Sequence, residues 1–428
     1  MSEKLKNLLE SYFDRLWPKF RSLAGPEFRN SLDILSEIVP FKRFKFKTGS
    51  KVLDWIVPRE WYVREAYFMD LQRRKYADIE KNNLHLVSYS VPFKGVLPLS
   101  KLRDHLHSLP DRPDAIPYIT SYYKEYWGFC ISHNEYQRLP DGDYFVKIDS
   151  RLSPGHVEIG EAILPGKTKK EVLFSSYLCH PSLANNELSG PLVLSFLYDR
   201  VRRIKDRLYT YRFVIVPETI GTLCYLSMRG AHLVRHLMAG YIVTCVGDRG
   251  NFTYKQSRQE NTLADRAARL VLGDKDCHII VPFDPGNGSE ERQYCSPGFN
   301  LPVGSLMRSM YSCYPEYHTS KDDKSFVDFD SMIESISVYY DIVRALESNR
   351  TWVNKVRYGE PQLGRRGLYP SLGNDKACEG KVRAMMWLLN LADGENDLFA
   401  IAEKSGESIK LLQELCEELY HKGLLEPA

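Results

Sequence analysis

The stretch Val172-Leu-Phe-Ser-Ser-Tyr-Leu-Cys179-His180-Pro181-Ser182-Leu183-Ala184-Asn185-Asn186-Glu187-Leu188-Ser189-Gly190-Pro191-Leu192-Val193 decides the fold. Val172 to Cys179 is nearly continuous apolar and aromatic, the pattern of a strand covered on both faces. His180-Pro181 ends it, since proline cannot extend a hydrogen-bonded ladder. Asn185, Asn186 and Glu187 are compressed into a polar loop. Ser189 stands where a helix cap is expected, and Pro191 suits the first turn. A histidine and a carboxylate are thus delivered to the carboxyl end of a central strand, the edge where open α/β sheets place their ligands.

Downstream the same alternation continues. Residues 211–216 form an apolar strand that leads to Glu218 and a helix over 221–237. Residues 241–246 form the next strand, which leads to Asp248. A helix over 261–273, a short strand over 277–282, a long Gly- and Pro-rich loop over 285–323 and a helix over 325–348 complete the unit. The order implies an α/β fold with a mixed, mostly parallel sheet flanked by helices. Upstream, residues 3–38 carry helical periodicity twice, interrupted by Gly25-Pro26. Residues 47–149 read as an inserted β-rich domain, with strands at 84–91 and 144–149. The aromatic run from Tyr118 to Trp127 predicts a strand pair or a lid. After a turn-rich connector over 351–376, residues 377–428 show three helices and a short apolar strand, the order of a winged helix. The predicted domains are therefore 1–46 with 150–360, then 47–149, then 377–428.

The 428 residues carry a net charge of +3, too near balance to argue for nucleic acid. The third C-terminal helix is acidic, with Glu407, Glu414, Glu417 and Glu418 against Lys410. Phosphate would repel it, so the winged helix is expected to face protein, as a lid or a homo-oligomer contact. Nine cysteines without a CxxC pair do not form a secreted disulfide framework or a zinc knuckle. No signal peptide or membrane span is visible, which predicts a cytoplasmic protein without membrane partners.

Three predicted strands end on polar residues, His180, Glu218 and Asp248, and His318 lies in the long loop. Histidine and carboxylate donors suit zinc, which keeps one position open for water. A nearby glutamate can accept the proton of that water and pass it to a leaving amine. Each residue also has an ordinary structural reading, as a strand end, a helix-start acid or a turn residue. Arg292 can grip a carboxylate or a sugar acid with two parallel bonds. Tyr294 and Tyr317 can pack on substrate or polarise an oxyanion.

Four blocks carry a family resemblance: Cys179-His-Pro-Ser-Leu-Ala-Asn-Asn-Glu-Leu-Ser-Gly-Pro191, Pro217-Glu-Thr-Ile-Gly221, Glu291-Arg-Gln-Tyr-Cys-Ser-Pro-Gly298 and Tyr317-His-Thr-Ser-Lys-Asp-Asp323. They resemble the bacterial polysaccharide-biosynthesis proteins with an aminopeptidase-like domain, within the zinc aminopeptidase superfamily. The inserted domain and the winged helix are similar too. The resemblance implies His180, Asp248 and His318 as zinc ligands and Glu218 as general base. It also marks departures. Asn186 stands where dinuclear members place a bridging aspartate, with Glu187 beside it as a substitute. Thr219 replaces a second glutamate, and Ser182 replaces an aspartate that orients the first histidine. One zinc is therefore favoured over two, held by His180, His318 and a carboxylate, Glu187 first and Asp248 second. Asn186, Arg292, Tyr294 and Tyr317 are the expected substrate contacts.

The implied activity is zinc-dependent amide or peptide hydrolysis. A peptide N-terminus or an N-acyl or aminoacyl sugar of surface polysaccharide synthesis is the implied substrate. The alternatives are a degenerate scaffold that binds without catalysis, suggested by Asn186 and Thr219, and a regulator that uses the winged helix.

Overall fold

The computed structural model describes residues 2–275, 277–368 and 376–428. Its centre is an eight-stranded sheet. The spatial order is Lys42–Lys47, His156–Leu164, Thr210–Val216, Glu171–Tyr177, Leu237–Val243, Val303–Met307, Phe252–Lys255 and His278–Val281. Glu171–Tyr177 runs parallel to both of its neighbours, and Leu237–Val243 runs parallel to Val303–Met307. His156–Leu164 is antiparallel to both of its own neighbours. The central strands alternate between two cores. Val172, Phe174, Tyr211 and Phe213 enter one, and Leu173, Tyr177, Val214 and Val216 enter the other. Helices cover both faces, which accounts for the nearly continuous apolar run at 172–179.

Four strands of this sheet, Lys42–Lys47, His156–Leu164, Phe252–Lys255 and Val303–Met307, were not read from the sequence. Val303–Met307 lies inside the expected 285–323 loop, yet it is fully buried in the sheet. Pro302 and Gly304 disguise it. Gly304 is needed there because a Cβ would stand 2.2 Å from the Tyr254 hydroxyl. The expected polar loop at Asn185–Glu187 is instead a buried π-helical turn, Ala184–Leu188, that runs into the helix Ser189–Val201. Ser189 does not cap that helix. Its hydroxyl donates to Asn185 O at 2.5 Å and accepts from Val246 N. Gly190 follows because a Cβ there would lie 2.2 Å from Val243 O.

The helix Ile220–His236 is fastened to the sheet by a buried charge network. Arg212 reaches Glu161 and Glu171, both at 2.5 Å. Tyr225 and Arg229 of the helix also donate to Glu161, and His232 meets Glu171 at 2.8 Å. Arg212→Ala is expected to lower stability by about 3–5 kcal/mol, because two buried acids lose their common cation. Urea unfolding would measure it. Burial pushes the Glu171 carboxyl up, but hydrogen bonds from Arg212 and His232 outweigh it and leave it below its ordinary value. Its contribution is therefore complete above the unfolded carboxylate pKa and fades as pH falls through the lower folded value.

A second, four-stranded antiparallel sheet is ordered Lys75–Tyr76, Glu60–Met69, Asp143–Ser153 and Phe93–Pro98. Residues 84–91 do not form the expected strand. They make single bridges, Leu86 to Phe129 and Ser88 to Thr120, after the short turn Asn83–His85. At the C-terminus the helices Lys376–Leu391, Leu398–Ser405 and Ile409–His421 carry a small sheet. Its central strand, Thr351–Asn354, pairs with Asp393–Asp397 and Leu425–Pro427. The start of the expected connector is thus a strand of the C-terminal module, and its end, 369–375, lies outside the described residues. The acidic third helix faces this chain itself, with Gln413 donating to Ser348. Arg266 ties the module down through Asp397 and Glu403. No helix among the described residues is long and apolar enough to cross a membrane.

Candidate active site

The sheet order sets Tyr177, Val216 and Val243 side by side at one edge. Leu178 N extends the pairing to Val216 O at 2.9 Å. The next residues out are Cys179-His180 on one strand and Pro217-Glu218 on its neighbour. His180 is 3 % exposed and sits between two acids. Its Nδ1 lies 2.6 Å from Glu187 Oε2, and its Nε2 lies 3.3 Å from Glu218 Oε2. Glu187 Oε1 accepts the backbone N–H groups of Cys179 and His180. Behind them Arg21, fully buried, donates twice to His180 O. Burial draws its guanidinium down to about 10, and Glu187 works in the opposite sense.

His318 comes from the loop before the last long helix of this unit. It has φ +53°, uncommon for a non-glycine residue. Its ring centroid is 5.5 Å from that of His180, and Tyr317 stacks on it at 3.9 Å. The ring of Tyr118 lies 4.8 Å from His180 and 5.2 Å from His318. Tyr118 N donates to His318 O at 2.8 Å, and Pro117 bridges Thr319.

The two imidazoles titrate in opposite directions. Burial, aided by His180, draws His318 down to about 3. Burial also opposes charge on His180, but Tyr118 and Glu187 overcome it and hold its pKa well above the ordinary value. Burial raises Glu218, while His180, His318 and Arg292 outweigh that and leave it low.

Asp322 organises the floor. Its carboxylate accepts Asn185 N at 2.6 Å and Asn186 N at 3.0 Å, satisfying N–H groups at the start of the π-turn. Burial pushes it up to about 7 against those bonds. Asp248, an expected ligand, is engaged elsewhere. One oxygen accepts Gly250 N and Ser309 Oγ, and the other accepts Asn185 Nδ2 and Ser309 N. Four donors leave it the task of fixing Asn185 and the Ser309 loop. Asn186 is 2 % exposed, with Nδ2 on the Tyr177 hydroxyl and Oδ1 without a hydrogen-bond partner. It is a floor residue and not the open substrate contact expected from sequence.

Tyr294 also departs from expectation. It is buried in the core, with its hydroxyl on Ser175 Oγ at 3.1 Å, and does not face the cleft. Arg292, half-buried, lies near enough to Glu218 for its charge to lower that acid, and it forms no ion pair among the described residues. Tyr317, half-buried, lies with its ring against His318.

Four contributors were missed, Arg21 behind His180 among them. Tyr118 lay within the aromatic run but had no stated role. Asp322 lay unremarked in the Tyr317–Asp323 block. Glu290 is fully buried, and its Oε1 accepts Thr219 N at 2.6 Å. Thr219 holds φ +61° and ψ −74°, a strained state that costs about 1–3 kcal/mol. The acid pair Glu290-Glu291 was the available signal.

Residues 11–349 match the family model described as a domain of unknown function, DUF4910. The chain belongs to the DUF4910 family. Residues 350–427 match a winged helix-turn-helix model, in keeping with the Thr351–Asn354 strand. A Clostridium acetobutylicum relative, described as a polysaccharide biosynthesis protein with an aminopeptidase-like domain, is 39 % identical over 426 residues. The match covers 99 % of this chain and 96 % of that protein. A crystal structure of a candidate peptidase from the same organism superposes with a TM-score of 0.93 at 37 % identity. It covers all of this chain and 97 % of its own. The fold extends to a zinc aminopeptidase from Bacillus subtilis, with TM-score 0.59, 10 % identity and coverage of 81 % and 95 %. An M28 peptidase precursor from Shewanella amazonensis gives 0.57, 11 %, 84 % and 98 %. This DUF4910 chain thus has an aminopeptidase-like fold with a winged helix attached.

Proposed function

We propose that the protein is an amide hydrolase that works with one zinc ion. The observation that carries this reading is the meeting of His180, His318 and Glu218 at one lip of the sheet, beside buried oxygens that lack a hydrogen-bond donor. Asn186 Oδ1 and Glu290 Oε2 have none, and Glu187 Oε2 has only the His180 ring beside it. Buried oxygens left this way are costly unless a cation or a donor-bearing ligand meets them.

His180 Nε2 and His318 would hold the ion. Cys179, His180 and Glu187 also have donor atoms within 4.8 Å of one another. However, Glu187 Oε2 is at hydrogen-bond distance from Nδ1, so Glu187 is better placed to orient the ring. Ser182, whose hydroxyl accepts from Asn83 Nδ2 at 2.9 Å, brings no carboxylate to that task. Cys179 is a poor donor because burial pushes its thiol up to about 12. With Asn186 and Thr219 in place of acids and Asp248 engaged, a second ion would lack the negative charge it needs.

A bound zinc supplies Lewis acidity toward the amide carbonyl and toward water. Glu218, a carboxylate 28 % exposed in its side chain, takes the proton from attacking water and returns it to the leaving nitrogen. Tyr118 and Tyr317 wall the histidines from solvent. The substrate is a peptide N-terminus or an N-acylated amino sugar, the latter suggested by the relative's name. A non-catalytic binding role is the second reading, favoured by Asn186 and Thr219.

Zinc analysis combined with amide hydrolysis decides between them. The expected result is one zinc per chain, loosely held because few protein ligands serve it, and release of amine from N-acyl substrates. No zinc uptake and no hydrolysis in zinc-supplemented buffer would leave the binding role.

A further inference from the structure

We infer that Glu290 is a positioning residue that holds the Glu218–Thr219 turn through the Thr219 amide. This rests on the proposed role of Glu218. Glu290 is 0 % exposed and approaches from a loop 71 positions away in sequence. Its Oε1 accepts Thr219 N at 2.6 Å, and its Oε2 has no hydrogen-bond partner among the described residues. A buried carboxyl oxygen left without a partner calls for a physical reason. Burial and the charge of Glu218 push its carboxyl well above the ordinary value.

The segment that carries Glu290 is anchored. Its neighbour Glu291 is buried and meets Lys255 Nζ at 2.9 Å, the Tyr311 hydroxyl at 2.9 Å and Ser305 Oγ at 3.1 Å. The same ammonium donates to Asp284 O at 2.7 Å. The restraint therefore passes from Lys255 through Glu291 and Glu290 to Thr219 N. A β-branched residue avoids positive φ unless something holds it there. When the acceptor is removed, Thr219 relaxes toward ordinary backbone and Glu218 leaves His180.

Glu290→Gln keeps an acceptor, while Glu290→Leu removes it at similar size. Two readouts on the zinc-supplemented full chain test the idea: hydrogen exchange at the Thr219 amide, and kcat and KM measured separately. Glu290→Leu should lose protection at Thr219 and lose about a hundredfold in kcat with KM little changed, the scale of a misplaced group. Glu290→Gln should keep both. Adding Thr219→Gly to Glu290→Leu should recover kcat, since glycine accepts positive φ freely. Retained protection at Thr219 in Glu290→Leu overturns the inference, as does unchanged kcat. If Glu290→Leu does not fold, the double variant replaces it, and failure of that variant to hydrolyse also overturns it. If the wild-type protein hydrolyses no amide, the hydrolase reading falls by itself, and the exchange measurement still judges whether Glu290 holds the turn.

Discussion

Glu218→Gln should leave the protein folded and its zinc uptake intact while lowering turnover by roughly 10²–10⁴-fold. The amide matches the carboxylate in size and keeps an oxygen for the His180 contact at 3.3 Å. What it loses is the ability to take a proton. The side chain is the partly exposed acid beside His180, and the alternatives are committed. Glu187 is bound to two backbone N–H groups and the His180 ring, Asp248 to four donors, and Asp322 to the π-turn. Steady-state rates on an N-acyl amine, beside zinc analysis of the same preparation, give the answer. Hydrolysis at the wild-type rate would remove Glu218 from the chemistry.

The second large effect concerns the metal. His180→Ala and His318→Ala should each weaken zinc binding by more than about a hundredfold, beyond the 10–100-fold typical of groups that only orient a ligand. Glu187→Gln is the matched control and should fall within that smaller range. Competition with a chromophoric chelator measures all three. Equal losses for Glu187→Gln and His180→Ala would instead make Glu187 a direct ligand. No change in any variant would place the ion elsewhere.

Much of this centre was legible because its chemistry is local. The run from Val172 to Cys179 is apolar on both faces and is buried on both faces. His180 and Glu218 follow adjacent parallel strands, so their meeting follows from topology alone. What escaped reading depends on partners far away in sequence. Asn185-Asn186-Glu187 looks like exposed loop, but the turn can be buried because Asp322, over 130 residues later, receives its N–H groups. Asp248 looks like a ligand until Ser309 is seen to donate to both of its oxygens. Tyr294 resembles a cleft residue in sequence, and only its bond to Ser175 places it in the core. Residues 84–91 have strand composition, but they find single bridges in place of a ladder.

The pairing of Tyr118 N with His318 O joins two stretches of chain two hundred positions apart. Tyr118 lies outside the eight-stranded sheet, yet its ring packs beside both histidines. A shift of the Tyr118 backbone would therefore disturb the surroundings of His180 and the footing of His318 in a single movement.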